Sequence, residues 1–162
     1  MWCQDIHRGQ TRRSGEDFSS HPIEVSIILM KLKQKSNMII AALLHDSLED
    51  THIKLLDIEK KYGQEVALYV LAITNEEGVL KSDISKQKIV FFLKENPECL
   101  VMKLADRLHN MRTIRFLPQE RQQKKAEETL SIYLPIARYL HLYDIAEELK
   151  QLSKRCLEEC TA

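Results

Sequence analysis

Apolar residues recur at intervals of three and four along almost the whole chain, and no run of alternating β-branched residues interrupts them. That period predicts helices throughout. Ile23, Ile27, Met30 and Leu32 mark one face of a helix that follows Pro22, a residue suited to a first helical turn. A second helix is expected after Ser36 or Asn37, through the apolar run Met38 to Leu44 and on into LLHDSLEDT. Leu55, Ile58 and Tyr62 predict a short helix that Gly63 ends, and Val66, Tyr69, Val70 and Ile73 predict another. The polar stretch Asn75 to Ser82 reads as a loop. Ile84 to Glu95 reads as an amphipathic helix stopping before Pro97, and LVMKLADRLHNM as a buried one with a polar stripe. Pro118 opens a long helix expected to kink at Pro135, and Tyr143 to Glu159 forms the last. Only four glycines and four prolines punctuate 162 residues, a length suited to one domain over residues 1–162. The expected fold class is all-α, a single helical bundle.

Ionisable residues break the pattern where it is most apolar. In LLHDSLEDT, Leu43 to Thr51, a continuous helix would set His45 and Glu49 one turn apart, and Asp46 and Asp50 likewise, as adjacent rows. Burying unpaired carboxylates costs several kcal/mol or more, so three acids this close to a core helix need a cation, solvent or strong donors. A lone His-Asp pair is more often a cap, a surface ion pair or a hydrogen-bonded core histidine than a metal site. A second stripe, Asp106, His109, Asn110 and Arg112, lies on another apolar helix, and two such helices could face a common metal centre.

Charge and cysteine content narrow the alternatives. Lys plus Arg equals Asp plus Glu, 24 each, so overall charge offers no argument for a nucleic acid or an anionic membrane as partner. The seven-residue run Met38 to Leu44 is far short of the roughly 20 residues that span a bilayer, and MWCQDIHRGQ lacks the apolar core of a signal peptide. A soluble cytoplasmic protein is expected. Cys3, Cys99, Cys156 and Cys160 form no CxxC pair and read as reduced thiols, with no disulfide or zinc role.

LLHDSLEDT and VMKLADRLHNMRT, with the upstream HRGQTRRSGEDFSSHP, resemble the hydrolase domain of the RelA/SpoT homologues, a branch of the HD phosphohydrolases that degrades the guanosine alarmones (p)ppGpp. The three motifs stand in the family's order and approximate spacing, and AEETLSIYLPIARYLHL is similar to its Glu-Thr, Tyr-x-Pro-x-Ala segment. The resemblance implies a small stand-alone hydrolase with no synthetase or regulatory domain. It implies His21, His45, Asp46 and Asp106 as metal ligands and Mn²⁺ as the ion. Ligand chemistry alone leaves Mn²⁺, Fe²⁺, Co²⁺ and Zn²⁺ open. Glu49 and Asp50 are then the expected acid and base, in an order the sequence does not assign.

Recognition of a guanine nucleotide, the expected small-molecule partner, falls to Arg12, Arg13, Ser14, Asn110 and Thr113. Arg12 matches the family's arginine that packs on guanine, and Arg13 replaces the commoner lysine while keeping its charge. Arg112 could equally serve as an ion-pair partner. Only six residues precede His7, so either looser packing around RRSG or a chain that is a piece of a longer one is expected, and Ser19 and Ser20 replace larger apolar residues. The implied reaction is removal of the 3′-pyrophosphate of (p)ppGpp. Alternatives are an HD phosphatase acting on another phosphorylated nucleotide such as NADPH, and a weakly active nucleotide-binding module.

Overall fold

In the computed structural model residues 2–74 and 81–161 are described; the part of the expected loop at positions 75–80 lies outside them. The fold is all-α. Eleven helices occur among the described residues, and the one extended pairing there is an isolated bridge between Thr11 and Asp17. By compactness the chain divides into two units, Met1–Met102 and Lys103–Ala162.

The first unit contains α1 (Trp2–Ile6), α2 (Ser20–Lys31), α3 (Ser36–Leu44), α4 (Ser47–Asp50), α5 (Leu55–Tyr62), α6 (Gln64–Ile73) and α7 (Lys81–Glu95). The unit boundary falls inside α8 (Glu98–Arg112). Helix α3 packs against both α2 and α6. Val25, Leu29, Met38, Ala41, Ala42, Val66 and Val70 are fully buried there. The buried stripe of α2 is not the expected row of Ile23, Ile27 and Met30. It runs His21, Val25, Ile28, Leu29, while Met30 is half exposed. The helix is apolar on more than one side, so spacing alone could not choose the face. The chosen face carries His21 inward.

Gly63 does end α5, as expected, and its φ of +88° also turns the chain directly into α6. At the other end of α5 the Asp57 carboxylate accepts the Lys54 N–H at 3.0 Å. Helix α7 begins at Lys81, three residues before the expected Ile84. Residues 2–6 form a short helix despite the few residues available, with Cys3 1 % exposed. All four thiols are free, and burial is the main reason that Cys3, Cys99 and Cys156 are pushed up to about 11.

The second unit contains the rest of α8, α9 (Gln119–Glu128), α10 (Leu134–Tyr139) and α11 (Tyr143–Thr161), with α11 packed on α9 and α10. The expected kink at Pro135 starts earlier, as a π-helical segment over Thr129–Tyr133. Pro135 has no N–H to continue the ladder and its ring crowds the carbonyl four residues back, so the chain widens upstream of it. The Leu134 N–H donates to the Thr129 carbonyl, the five-residue span of a π turn.

Widening has a use. Glu128 and Tyr133 are five apart, which in an α-helix separates them by about 140° around the axis; a π turn brings them onto one side. Both meet Arg107. Its Nη2 donates to Glu128 Oε2 at 2.8 Å and its guanidinium lies 3.9 Å over the Tyr133 ring. Arg107 is 7 % exposed, and against the opposing effect of burial its pKa is raised by the contact with Tyr133 and then by the neighbouring charge of Glu128. Arg107→Ala should therefore cost about 2–3 kcal/mol in urea unfolding, less than a fully buried pair because Glu128 keeps 36 % of its side-chain exposure. A loss below about 1 kcal/mol would show that the Arg107 contacts do not stabilise the π segment.

Candidate metal centre and adjoining cleft

The expected single helix through the His-Asp motif is broken. Helix α3 ends at Leu44, His45 and Asp46 form a turn, and α4 starts at Ser47. Side-chain donors explain the break. His45 Nδ1 donates to the Ala42 carbonyl at 2.8 Å, and Ser47 Oγ donates to the Leu44 carbonyl at 2.5 Å. Each claims an acceptor that the continuing helix would have used. Asp46 keeps near-helical torsions, φ −85° and ψ −7°, and its own carbonyl accepts the N–H groups of Glu49 and Asp50.

The Ala42 contact also fixes the chemistry of His45. With the proton on Nδ1, the Nε2 of a neutral ring presents a lone pair. That lone pair points at His21. The two Nε2 atoms are 3.2 Å apart, His45 Nε2 is 3.0 Å from Asp46 Oδ1, and His21 Nε2 is 4.0 Å from Asp46 Oδ2. Two donors each about 2.1 Å from one ion lie about 3.0–3.4 Å apart when cis and about 4.2 Å when trans. The three separations fit that range. Both histidines are 5 % exposed and Asp46 is half-buried. Among the described residues, His21, His45 and Asp46 are the His/Cys/Asp/Glu group placed to hold a metal ion. Two neutral imidazoles and one carboxylate suit a divalent transition metal better than Mg²⁺. Cys3 lies close enough for the Asp46 charge to add to the burial that raises its thiol pKa.

Glu49 and Asp50 stand one turn beyond, on α4, and with Ile6, Gln10, Thr51 and His52 line an open cleft of about 580 Å³. That size falls within the roughly 300–1,000 Å³ of small-molecule sites. From the N-terminal segment, Ile6 and Gln10 reach this cleft. Just beyond Gln10 the Gly15 N–H donates to the Arg12 carbonyl and the Arg12 N–H to the Glu16 carbonyl, both at 2.9 Å. This tight turn closes through Gly15 at φ +85°, a conformation L-residues rarely take, although a Cβ would meet nothing within 4 Å. Arg13 is exposed on the turn, Arg12 is half-buried, and Ser14 Oγ donates to Glu16 Oε2 at 3.2 Å.

The remaining expected site residues belong to the second unit. Asp106 is half-buried on α8 and accepts a 2.7 Å hydrogen bond from Asn110 Nδ2, the residue one turn on. Thr113 Oγ1 donates to the His109 carbonyl at 3.1 Å. Arg112 is an ion-pair residue, gripping Glu148 through Nε at 2.7 Å and Nη2 at 2.9 Å. Sequence reasoning missed His7 and Gln10. His7 is 3 % exposed and stacks on Phe18 with ring centroids 4.7 Å apart. A buried histidine in HRGQ carried a signal only through its position beside the RRSG motif.

An HD-domain family model matches residues 1–142. The chain is 42% identical over 151 residues to a GTP pyrophosphokinase of Streptomyces coelicolor, covering 91% of this chain and 18% of that protein. It is 37% identical over 167 residues to the bifunctional (p)ppGpp synthase/hydrolase SpoT of Escherichia coli, covering 96% of this chain and 23% of that one. The chain thus spans about a fifth of the length of these curated relatives. A solved structure of a metazoan SpoT orthologue, described as hydrolysing ppGpp, superimposes with a TM-score of 0.66 at 26% identity, covering 98% of this chain and 89% of that one. With its cluster of buried His21 and His45 and half-buried Asp46 and this match over most of its length, the chain belongs to the HD-domain family, and its relatives include (p)ppGpp hydrolases of the RelA/SpoT type.

Proposed function

We propose that the chain hydrolyses the 3′-pyrophosphate of (p)ppGpp, releasing pyrophosphate and GDP or GTP, with Mn²⁺ held by His21, His45, Asp46 and Asp106. The observation that carries this reading is the largely buried His21–His45–Asp46 cluster, followed one turn on by two further acids that line a nucleotide-sized cleft. The names of the relatives support it: the Borreliella burgdorferi protein, 36% identical over 93% of this chain, is a guanosine-3′,5′-bis(diphosphate) 3′-pyrophosphohydrolase. The match of ADRLHN to the family motif supports Asp106 as fourth ligand, and the Asn110 bond orients its carboxylate. A divalent ion there supplies Lewis acidity, lowering the pKa of water and offsetting phosphate charge.

The other roles follow from placement. Glu49 and Asp50 line the cleft within one turn of Asp46, so one takes the proton of the attacking water and the other gives a proton to the ribose 3′ oxygen as the 3′ P–O bond breaks. Arg12 lays its guanidinium on the guanine, gaining stacking and cation–π attraction, with Arg13 and Ser14 on the same turn. Asn110 has a second amide N–H, and Thr113 a hydroxyl oxygen, to offer the nucleotide. The catalytic domain acts on this small-molecule partner in the cytoplasm. Pyrophosphate and phosphate release from ppGpp, pppGpp and NADPH with Mn²⁺ tests the reaction: pyrophosphate from the guanosine substrates is expected, while phosphate from NADPH alone would replace the reading.

Two outcomes test the site itself. After chelation, adding Mn²⁺ to a hundred times its dissociation constant should stabilise the fold by about 2.7 kcal/mol and raise the melting temperature by about 5–10 °C. His45→Ala should lose that rise, and retention of the full shift would remove His45 from the ligand set. Glu49→Gln and Asp50→Asn keep the side-chain shape but not the proton, so each should lower turnover by about a hundredfold or more with metal content unchanged. Wild-type turnover in both variants would contradict the acid/base assignment.

A further inference from the structure

Gln10 joins two parts of the cleft that are distant in sequence. Its backbone carbonyl accepts the Phe18 N–H at 3.0 Å, which with the Thr11–Asp17 bridge closes the neck of the loop carrying Arg12 to Gly15. Its side-chain Nε2 donates to the Asp50 carbonyl at 2.9 Å, forty residues further on, at the end of α4. Its Oε1 lies 2.8 Å from His7 Nδ1. The network admits one arrangement of protons. The Asp50 carbonyl can only accept, so the amide must turn its N–H₂ that way, and the amide oxygen is left to accept from His7 Nδ1–H. His7, buried and stacked on Phe18, holds the amide in that orientation.

We propose that Gln10 is a positioning residue, clamping the Arg12 turn to the acid-bearing end of α4 and so setting the distance between the held base and the reacting phosphate. The inference rests on the proposed function for its substrate. It differs from a general contribution to stability because the clamp spans a solvent-exposed gap between two functional segments and fills no core position.

Gln10→Glu isolates the clamp: the carboxylate still accepts from His7 but has no N–H for the Asp50 carbonyl. Gln10→Met removes both bonds without adding charge, so agreement between the two excludes an electrostatic cause. Each should lower kcat/KM for ppGpp by about 3-fold to 10-fold, the range of one modest hydrogen bond, with the melting temperature and Mn²⁺ content unchanged. A cycle with Arg12→Ala supplies the decisive readout. If Gln10 acts by placing Arg12, the double variant should be no worse than Arg12→Ala alone. Effects that multiply independently would overturn the proposal. The clamp is read separately as tryptic cleavage after Arg12 and Arg13, which should quicken several-fold in both Gln10 variants, and an unchanged rate would also overturn it. Wild-type protein inert towards (p)ppGpp would defeat the proposed function instead, while cleavage still decides for or against the clamp.

Discussion

Two imidazole nitrogens held 3.2 Å apart in a buried site, with a carboxylate oxygen 3.0 Å from one of them, form an arrangement that needs a positive charge or a shared proton between them. The local architecture is organised to enforce it. The Ala42 carbonyl accepts the Nδ1–H of His45, so Nε2 faces inward as a base. Ser47 takes the Leu44 carbonyl, so the chain turns at His45 and Asp46 and does not run on as a helix. The α2 helix buries the face with His21, Val25, Ile28 and Leu29, leaving Met30 outside. Packing of α3 against α2 then brings the two rings to 5.0 Å between centroids. A helix that propensity would continue and a motif with three acids are reconciled by one local device, donors that end a helix where its ligands begin.

The same break positions the rest of the cleft. Because α4 restarts after Asp46, Glu49 and Asp50 extend beyond the ligands towards an open volume and not along the buried seam. Gln10 lines the same cleft and stands at the neck of a loop that turns through Gly15. Core packing supplies rigidity for the ligands and hydrogen bonds on the surface place the loop, a division suited to chemistry at one end of a substrate and recognition at the other.

Much of this was legible in the residues. The 3.6-residue period read as all-α, Gly63 read as a helix end, and the His-Asp and ADRLHN stripes stood out because acids in apolar helices need an explanation. The break inside LLHDSLEDT was not legible, since it depends on His45 and Ser47 donating to backbone carbonyls three residues back, which competes with a helix that propensity favours. The buried face of α2 is ambiguous in sequence because Ile23 and Ile27 are as apolar as Val25 and Leu29, and only tertiary packing chooses between them. The π segment announced itself only as Pro135, a few residues late. Gln10 left no trace, because its partner is the backbone of Asp50, and a backbone carbonyl has no side-chain identity to read.

The central claim is that His21, His45 and Asp46 share one divalent ion. Anomalous diffraction from crystals grown with Mn²⁺, collected on both sides of the manganese edge, tests it most directly. One peak is predicted within about 2.0–2.4 Å of His21 Nε2, His45 Nε2 and an Asp46 carboxylate oxygen. No peak there, at a Mn²⁺ concentration that supports activity, would contradict it.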